Sequence, residues 1–271
     1  TRTEIPEIVI SWLRFIPVAI LASLLAPGVL MIEGEIVLNS DNIFLTADTN
    51  QSIYGNGLSW NKVAHELKFQ GKARILRENY RTTKEIWQAI TCFAPNTTNR
   101  DTETLDIKPV YNGPYPFVIH YSNLNNLSKR LNRFLQESII SERITQASTA
   151  VICPTAQEMN LVYDLIDEKF NPQIMASKDL DINYSGTKIM TMDSAKGLQF
   201  PVVVAFGINH SRVPIPPSGG VDKDEHIARE KRLFFVACSR AMKQLAIFTH
   251  QGNESEFLND VSDEFWEIEY I

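Results

Sequence analysis

Thr187-Lys-Ile-Met-Thr191-Met-Asp193-Ser194-Ala-Lys196-Gly197-Leu-Gln199-Phe200-Pro201-Val-Val-Val204 is the stretch on which the reading of this chain turns. An apolar run, Lys188–Met192, enters a turn of small residues with a Lys-Gly step, and Phe200-Pro201 then leads straight into a second run, Val202–Phe206. Short runs without polar alternation are the pattern of strands buried on both faces, as a parallel sheet requires. The turn between them offers hydroxyls, backbone N–H groups and one ammonium, a set suited to the phosphates of a nucleotide or of a strand. Runs of the same kind stand at Asn42–Ala47, Phe117–His120, Ala150–Cys153 and Gln244–Thr249. Helical patterns fill the intervals at Leu58–Phe69, Thr83–Phe93, Leu124–Ile139, Ala156–Phe170 and Ile227–Arg240, with Asn123, Thr155 and Thr82 or Thr83 as N-caps. The alternation predicts an α/β fold, a doubly wound parallel sheet with flanking helices, whose ligands sit at the carboxyl ends of the strands.

The 271 residues are 44% hydrophobic and 21% charged, a globular composition. A formal charge of −6 argues against retention on nucleic acid by overall charge, so strand binding must come from a local groove. Cys92, Cys153 and Cys238 lack a Cys or His neighbour at ligand spacing, which speaks against a zinc site or a disulfide framework and for buried thiols in a reducing, cytoplasmic setting. From Ile8 to Ile32 the chain is apolar except for Arg14. Pro17, Pro27 and Gly28 interrupt that run, and a buried helix near Ser11–Leu25 followed by a buried strand accounts for it without a membrane span.

Four segments carry chemistry, in a fixed order. Asn42–Gly55 is a strand ending in a polar loop with Asp48, Gln51 and Tyr54; an uncharged Gln there can donate to a phosphate oxygen and accept from a water. Leu76–Ile86 holds Asn79-Tyr80-Arg81, where an Arg at a helix start suits an anion and the Tyr offers a flat face to a base. The third is the stretch quoted above. The fourth, Glu230–Ala241, is a largely apolar helix ending in Ser239-Arg240; that Arg reads either as a snorkelling surface residue or as an arginine finger.

Together these segments resemble motifs three to six, the C-terminal portion, of the UvrD/Rep/PcrA-type superfamily 1 DNA helicases. Asp48 through Tyr54 is similar to motif three, Asn79-Tyr80-Arg81 to motif four, Lys196 through Val203 to motif five, and Glu230 through Ala241 to motif six. The resemblance implies RecA-like architecture, with residues 1–70 as a remnant of the first RecA-like domain and 71–271 as the second. It implies that Gln51 senses the γ-phosphate, that Arg81 and Arg240 reach it, and that Tyr80 stacks on adenine. Gln199 and Glu230 then fall on the nucleotide side, and Tyr54, Thr191, Ser194 and Lys196 along single-stranded or partly duplex DNA. The cofactors implied are ATP and Mg²⁺.

The sequence also departs from the family pattern. Gln199 stands for the usual Glu, Asp193 for the usual His and Ser239 for the usual Thr, and Gly55-Asn56-Gly57 follows Tyr54 where an aromatic and an Arg are usual. These 271 residues contain no Gly-x-x-x-x-Gly-Lys-Ser/Thr phosphate loop and no acidic pair for Mg²⁺. The expected partner is therefore a front helicase domain that supplies both, with this portion inactive towards ATP by itself. The interval from Arg81 to Thr187 leaves no room for the large helical insertion that many relatives carry. The competing expectation is a non-catalytic RecA-like module that binds nucleic acid or a partner.

Overall fold

The computed structural model describes residues 78–94, 108–175, 181, 183–217 and 222–271, all within the compact unit Ile75–Ile271. The strand expected at Asn42–Ala47, the helix at Leu58–Phe69, and Gln51 and Tyr54 lie outside the described residues. In chain order the elements are β1 (Glu78–Asn79), α1 (Lys84–Ile90), β2 (Lys108–Pro109), β3 (Phe117–Tyr121), α2 (Leu124–Glu142), β4 (Thr149–Cys153) and α3 (Ala156–Leu165). They continue as β5 (Gln173–Ile174), β6 (Lys188–Thr191), β7 (Phe200–Phe206), α4 (Lys223–Cys238), β8 (Ala241–His250) and β9 (Glu267–Tyr270).

Seven strands form one sheet in the order β5-β6-β4-β7-β8-β3-β9, every pair parallel. β1 and β2 make a separate two-stranded parallel pair. Strand residues divide by parity, as the pleat demands. Ile119, Val151, Cys153, Ile189, Val202, Val204, Phe206, Ala246 and Phe248 share one core with Leu127, Leu131, Phe134 and Leu135 of α2 and Met159 and Val162 of α3. The alternate residues Val118, Ile152, Val203, Ala205 and Ile247 are buried as well, and α1 and α4 pack against β7 and β8. Phe93 joins those two helices, its ring 4.8 Å from Phe234 and 5.7 Å from Trp266. Burial on both faces is why the strands read as unbroken apolar runs.

Caps set the helix limits. Asn123 Oδ1 accepts from Asn126 N at 2.9 Å and starts α2, and Arg143 ends it in the left-handed region at φ 52°. Thr155 Oγ1 accepts from Gln157 N at 3.2 Å and also donates to Glu158, the residue three positions on, in the Thr-x-x-Glu spacing of a capping box. Thr83 stands at the N-cap of α1 without capping it: its buried Oγ1 has no hydrogen-bond partner.

α3 ends at Leu165, short of the Phe170 that its periodicity suggests. Side chains of α2 intercept its backbone. Leu165 O accepts from Ser128 Oγ and from Asn132 Nδ2, each at 2.8 Å, while Asn132 Oδ1 accepts from Asp167 N at 2.8 Å. A short 3₁₀ turn, Glu168–Phe170, then returns Phe170 to the core.

Candidate nucleotide and strand interface

The segment ahead of α1 is built around Asn79, whose Oδ1 accepts from Arg81 N at 2.8 Å and Thr82 N at 3.3 Å. This Asx turn shapes the residues that lead into α1. It leaves Tyr80 58% exposed and Arg81 exposed. Tyr80 donates its hydroxyl to Glu78 Oε2, and that bond, with the Glu78 charge, pushes the phenol above its ordinary 10.0.

At the carboxyl end of β6, Thr191 Oγ1 lies 2.8 Å from Ser194 Oγ and accepts from Ser194 N at 3.2 Å. Ala195 N donates to Thr191 O at 3.1 Å and Leu198 N to Ala195 O at 3.1 Å, so the segment coils once before β7. Gly197 turns it at φ 79°, a conformation that a side chain would strain. Lys196 is half-buried; desolvation lowers its pKa from 10.5, and the Asp193 charge opposes that. Gln199 is half-buried too, and Glu230 accepts from Ile215 N at 3.3 Å.

Arg240 is 3% exposed. Its Nε donates to Val236 O at 2.9 Å, one Nη to Leu198 O at 3.2 Å and the other to Ser239 Oγ at 3.0 Å. The guanidinium thus closes the last turn of α4 and links it to the segment before β7. The snorkelling reading does not describe it.

The backbone brings these pieces together. Phe200 N donates to Arg240 O at 3.0 Å and Thr83 N to Met242 O at 3.2 Å. The start of α1, the entry to β7 and the end of α4 therefore meet at the amino end of β7 and β8. The sequence predicts the ligand side at the carboxyl ends of the strands; Tyr80 and Arg81 follow β1, whereas Arg240 stands at the amino end of β8, a correction. The physical reason is local: Arg240 is the residue just before β8, so it can only stand at that strand's entrance. Thr191 and Ser194 do lie at a carboxyl end, that of β6, with Lys196 on the turn between the two edges. Two features had no sequence signal, the Leu198 carbonyl as a partner of Arg240 and Tyr111 beside Tyr80, their rings 6.4 Å apart at 71°.

Residues 171–252 match the family model of the UvrD-like helicase C-terminal domain. Over those residues the chain is similar to UvrD-like helicase C-terminal domains. Thr191, Ser194, Lys196, Gln199, Glu230 and Arg240 fall inside the matched segment, and Gln51, Tyr54, Tyr80 and Arg81 outside it. The domain is 32% identical over 119 residues to DNA helicase II of Rickettsia typhi, covering 40% of this chain and 18% of that protein. It is 34% identical over 101 residues to the ATP-dependent DNA helicase PcrA of Staphylococcus aureus, 37% of this chain and 13% of that one. A protein of Acanthamoeba polyphaga mimivirus provisionally named an ATP-dependent DNA helicase is 26% identical over 234 residues, 80% of this chain and 32% of its own length. The chain thus spans a third or less of these relatives. The C-terminal domain of a possible DNA helicase from Lactobacillus plantarum superposes with a TM-score of 0.51 at 21% identity, covering 70% of this chain and 98% of that one, a likeness of fold. Residues 1–47 match a different model, that of the branched-chain amino acid transport protein AzlD.

Proposed function

We propose that this UvrD-like domain is the rear RecA-like domain of an ATP-driven DNA translocase, presenting Tyr80 to the adenine and Arg81 and Arg240 to the γ-phosphate. The observation that carries the reading is the meeting of the Tyr80-Arg81 turn and the Arg240 helix end at the amino end of β8, where two residues far apart in sequence can address one nucleotide. Arg81 is solvent-facing and ready for a phosphoryl oxygen. Arg240 reaches one by exchanging its carbonyl partners for it. Thr191, Ser194 and Lys196 take the strand along the other edge, with Gln199 and Glu230 toward the nucleotide. Gln51 and Tyr54 belong to the same scheme by their motif alone.

ATP supplies the free energy of translocation when bound between this domain and a front domain. Among the described residues no group of three His, Cys, Asp or Glu side chains converges to hold a metal, so Mg²⁺ in this scheme rests on the front domain's acids. We place the beginning of helicase-like sequence near Asp48, because the residues before it match a transport protein instead.

Binding of an ADP with a fluorophore on its ribose to the 271-residue chain tests the reading. Tyr80→Ala and Arg81→Ala should each weaken it at least several-fold. Equal binding by wild type and both variants overturns the translocase reading and leaves the non-catalytic module, which the engagement of Arg240 by its own backbone would suit.

A further inference from the structure

Tyr80 and Tyr111 are more than half exposed, at 58% and 55%. An exposed tyrosine ordinarily turns about two side-chain torsions and loses that freedom when a ligand stacks on it. Tyr80 is held at both ends. Its hydroxyl is bonded to Glu78, and its ring meets the Tyr111 ring edge-to-face, 6.4 Å away at 71°, within the geometry that favours aromatic pairs.

Tyr111 is held in turn by its backbone. Val110 N donates to Asn79 O at 3.0 Å and Lys84 N to Tyr111 O at 2.8 Å. Gly113 N donates to Glu85 Oε2 at 2.6 Å. Gly113 backs onto Thr83 so closely that a Cβ there would lie 2.6 Å from Thr83 Cγ2. The loop is therefore fastened to the turn that carries Tyr80 and Arg81, through four contacts on both sides of Tyr111.

We propose that Tyr111 and Glu78 hold Tyr80 as a pre-set platform for a purine base, which makes Tyr111 a positioning residue of the nucleotide site. The inference rests on the adenine reading of Tyr80. A perpendicular neighbour fixes the plane of the Tyr80 ring, and at 58% exposure the ring keeps surface for a base. Purines are favoured over pyrimidines because a fixed plane rewards the larger stacked area.

The test is an NMR titration of the 271-residue chain with ADP and with CDP, read on the tyrosine ring signals. ADP should shift Tyr80 and Tyr111 and bind more tightly than CDP. Tyr111→Ala should weaken ADP roughly 3- to 10-fold, the range of one aromatic pair, and narrow the preference over CDP. Tyr111→Phe should bind as wild type, because the ring and not the hydroxyl braces Tyr80. Glu78→Ala, at an exposed position outside the core, should weaken ADP in the same direction even if Tyr111→Ala disturbs its loop. Weak binding by Tyr80→Ala with normal binding by Tyr111→Ala and Glu78→Ala overturns the positioning role and leaves the Tyr80 reading standing. Normal binding by Tyr80→Ala, or no tyrosine shift with ADP, overturns both.

Discussion

Arg240 has a structural role that competes with the phosphate role proposed for it. Its guanidinium donates to Val236 O, Leu198 O and Ser239 Oγ, so replacing it removes these bonds from a buried position. Arg240→Ala should lower unfolding free energy by roughly 2–4 kcal/mol, measured in urea, and Arg240→Lys should recover little of it, since an ammonium cannot span the three. A wild-type midpoint for Arg240→Ala would remove its structural role and leave only the phosphate one. Lys196 makes a different case, half-buried on the turn between β6 and β7. Lys196→Ala should reduce the salt slope of single-strand binding by about 0.7, one phosphate contact; an unchanged slope returns Lys196 to an ordinary turn position. The sequence named both residues and could not separate them, because burial is decided by what α4 and the β6–β7 turn do in three dimensions. Tyr111 was invisible for a related reason. In Tyr111-Asn-Gly-Pro-Tyr115 the Asn-Gly-Pro step reads as loop chemistry, and nothing in the string says which neighbour the loop will meet.

Elements were legible where burial is symmetric. β3, β4, β6, β7 and β8 all appear where apolar runs stood, with ends shifted by no more than three residues. β5 and β9 escaped because Gln173–Ile174 and Glu267–Tyr270 lie at the sheet's two edges, where one flank is wet and the residues need not be apolar. The early stop of α3 was equally hidden, since Leu165–Phe170 keeps a helical pattern while Asn132 of another helix takes its backbone. Asn132→Ala should therefore cost roughly 1–2 kcal/mol, because Leu165 O and Asp167 N each lose a bond. A loss below 0.5 kcal/mol in thermal or urea unfolding would mean that the α2–α3 junction is held by packing alone. The carboxyl-end rule failed at this scale too: it concerns loops that leave strands, and Arg240 sits on one that enters.

For the molecule as a whole, one ion pair ties the last strand to α2. Arg130 of α2 donates to both oxygens of Glu269 in β9, at 2.6 and 2.8 Å. These bonds hold the Glu269 carboxyl below its ordinary 4.5, against burial that pushes it up. A carboxylate with a depressed folded pKa adds stability above the unfolded value and loses it as pH falls through the folded one. Wild type should thus be more stable than Glu269→Gln at neutral pH, and the gap should close below about pH 4.5. Melting curves of the two proteins that stay parallel into acid would sink this linkage. The chain should also hydrolyse ATP no faster than buffer, since these residues include no phosphate loop; strand-stimulated turnover by the pure chain would contradict the division of labour proposed above.

The order of the sheet bears on how the protein is made. β3 ends at Tyr121, yet its two neighbours begin only at Ala241 and Glu267. During vectorial synthesis, β3 leaves the ribosome with both hydrogen-bonding flanks bare and must wait while β4 to β7 are translated. The nascent chain meanwhile carries apolar strands such as Phe117–Tyr121 and Val202–Phe206 without their closing partner, which is when chaperones capture intermediates. β8 is the keystone of the finished sheet: late in the chain, it lies between β7 and β3 and joins them.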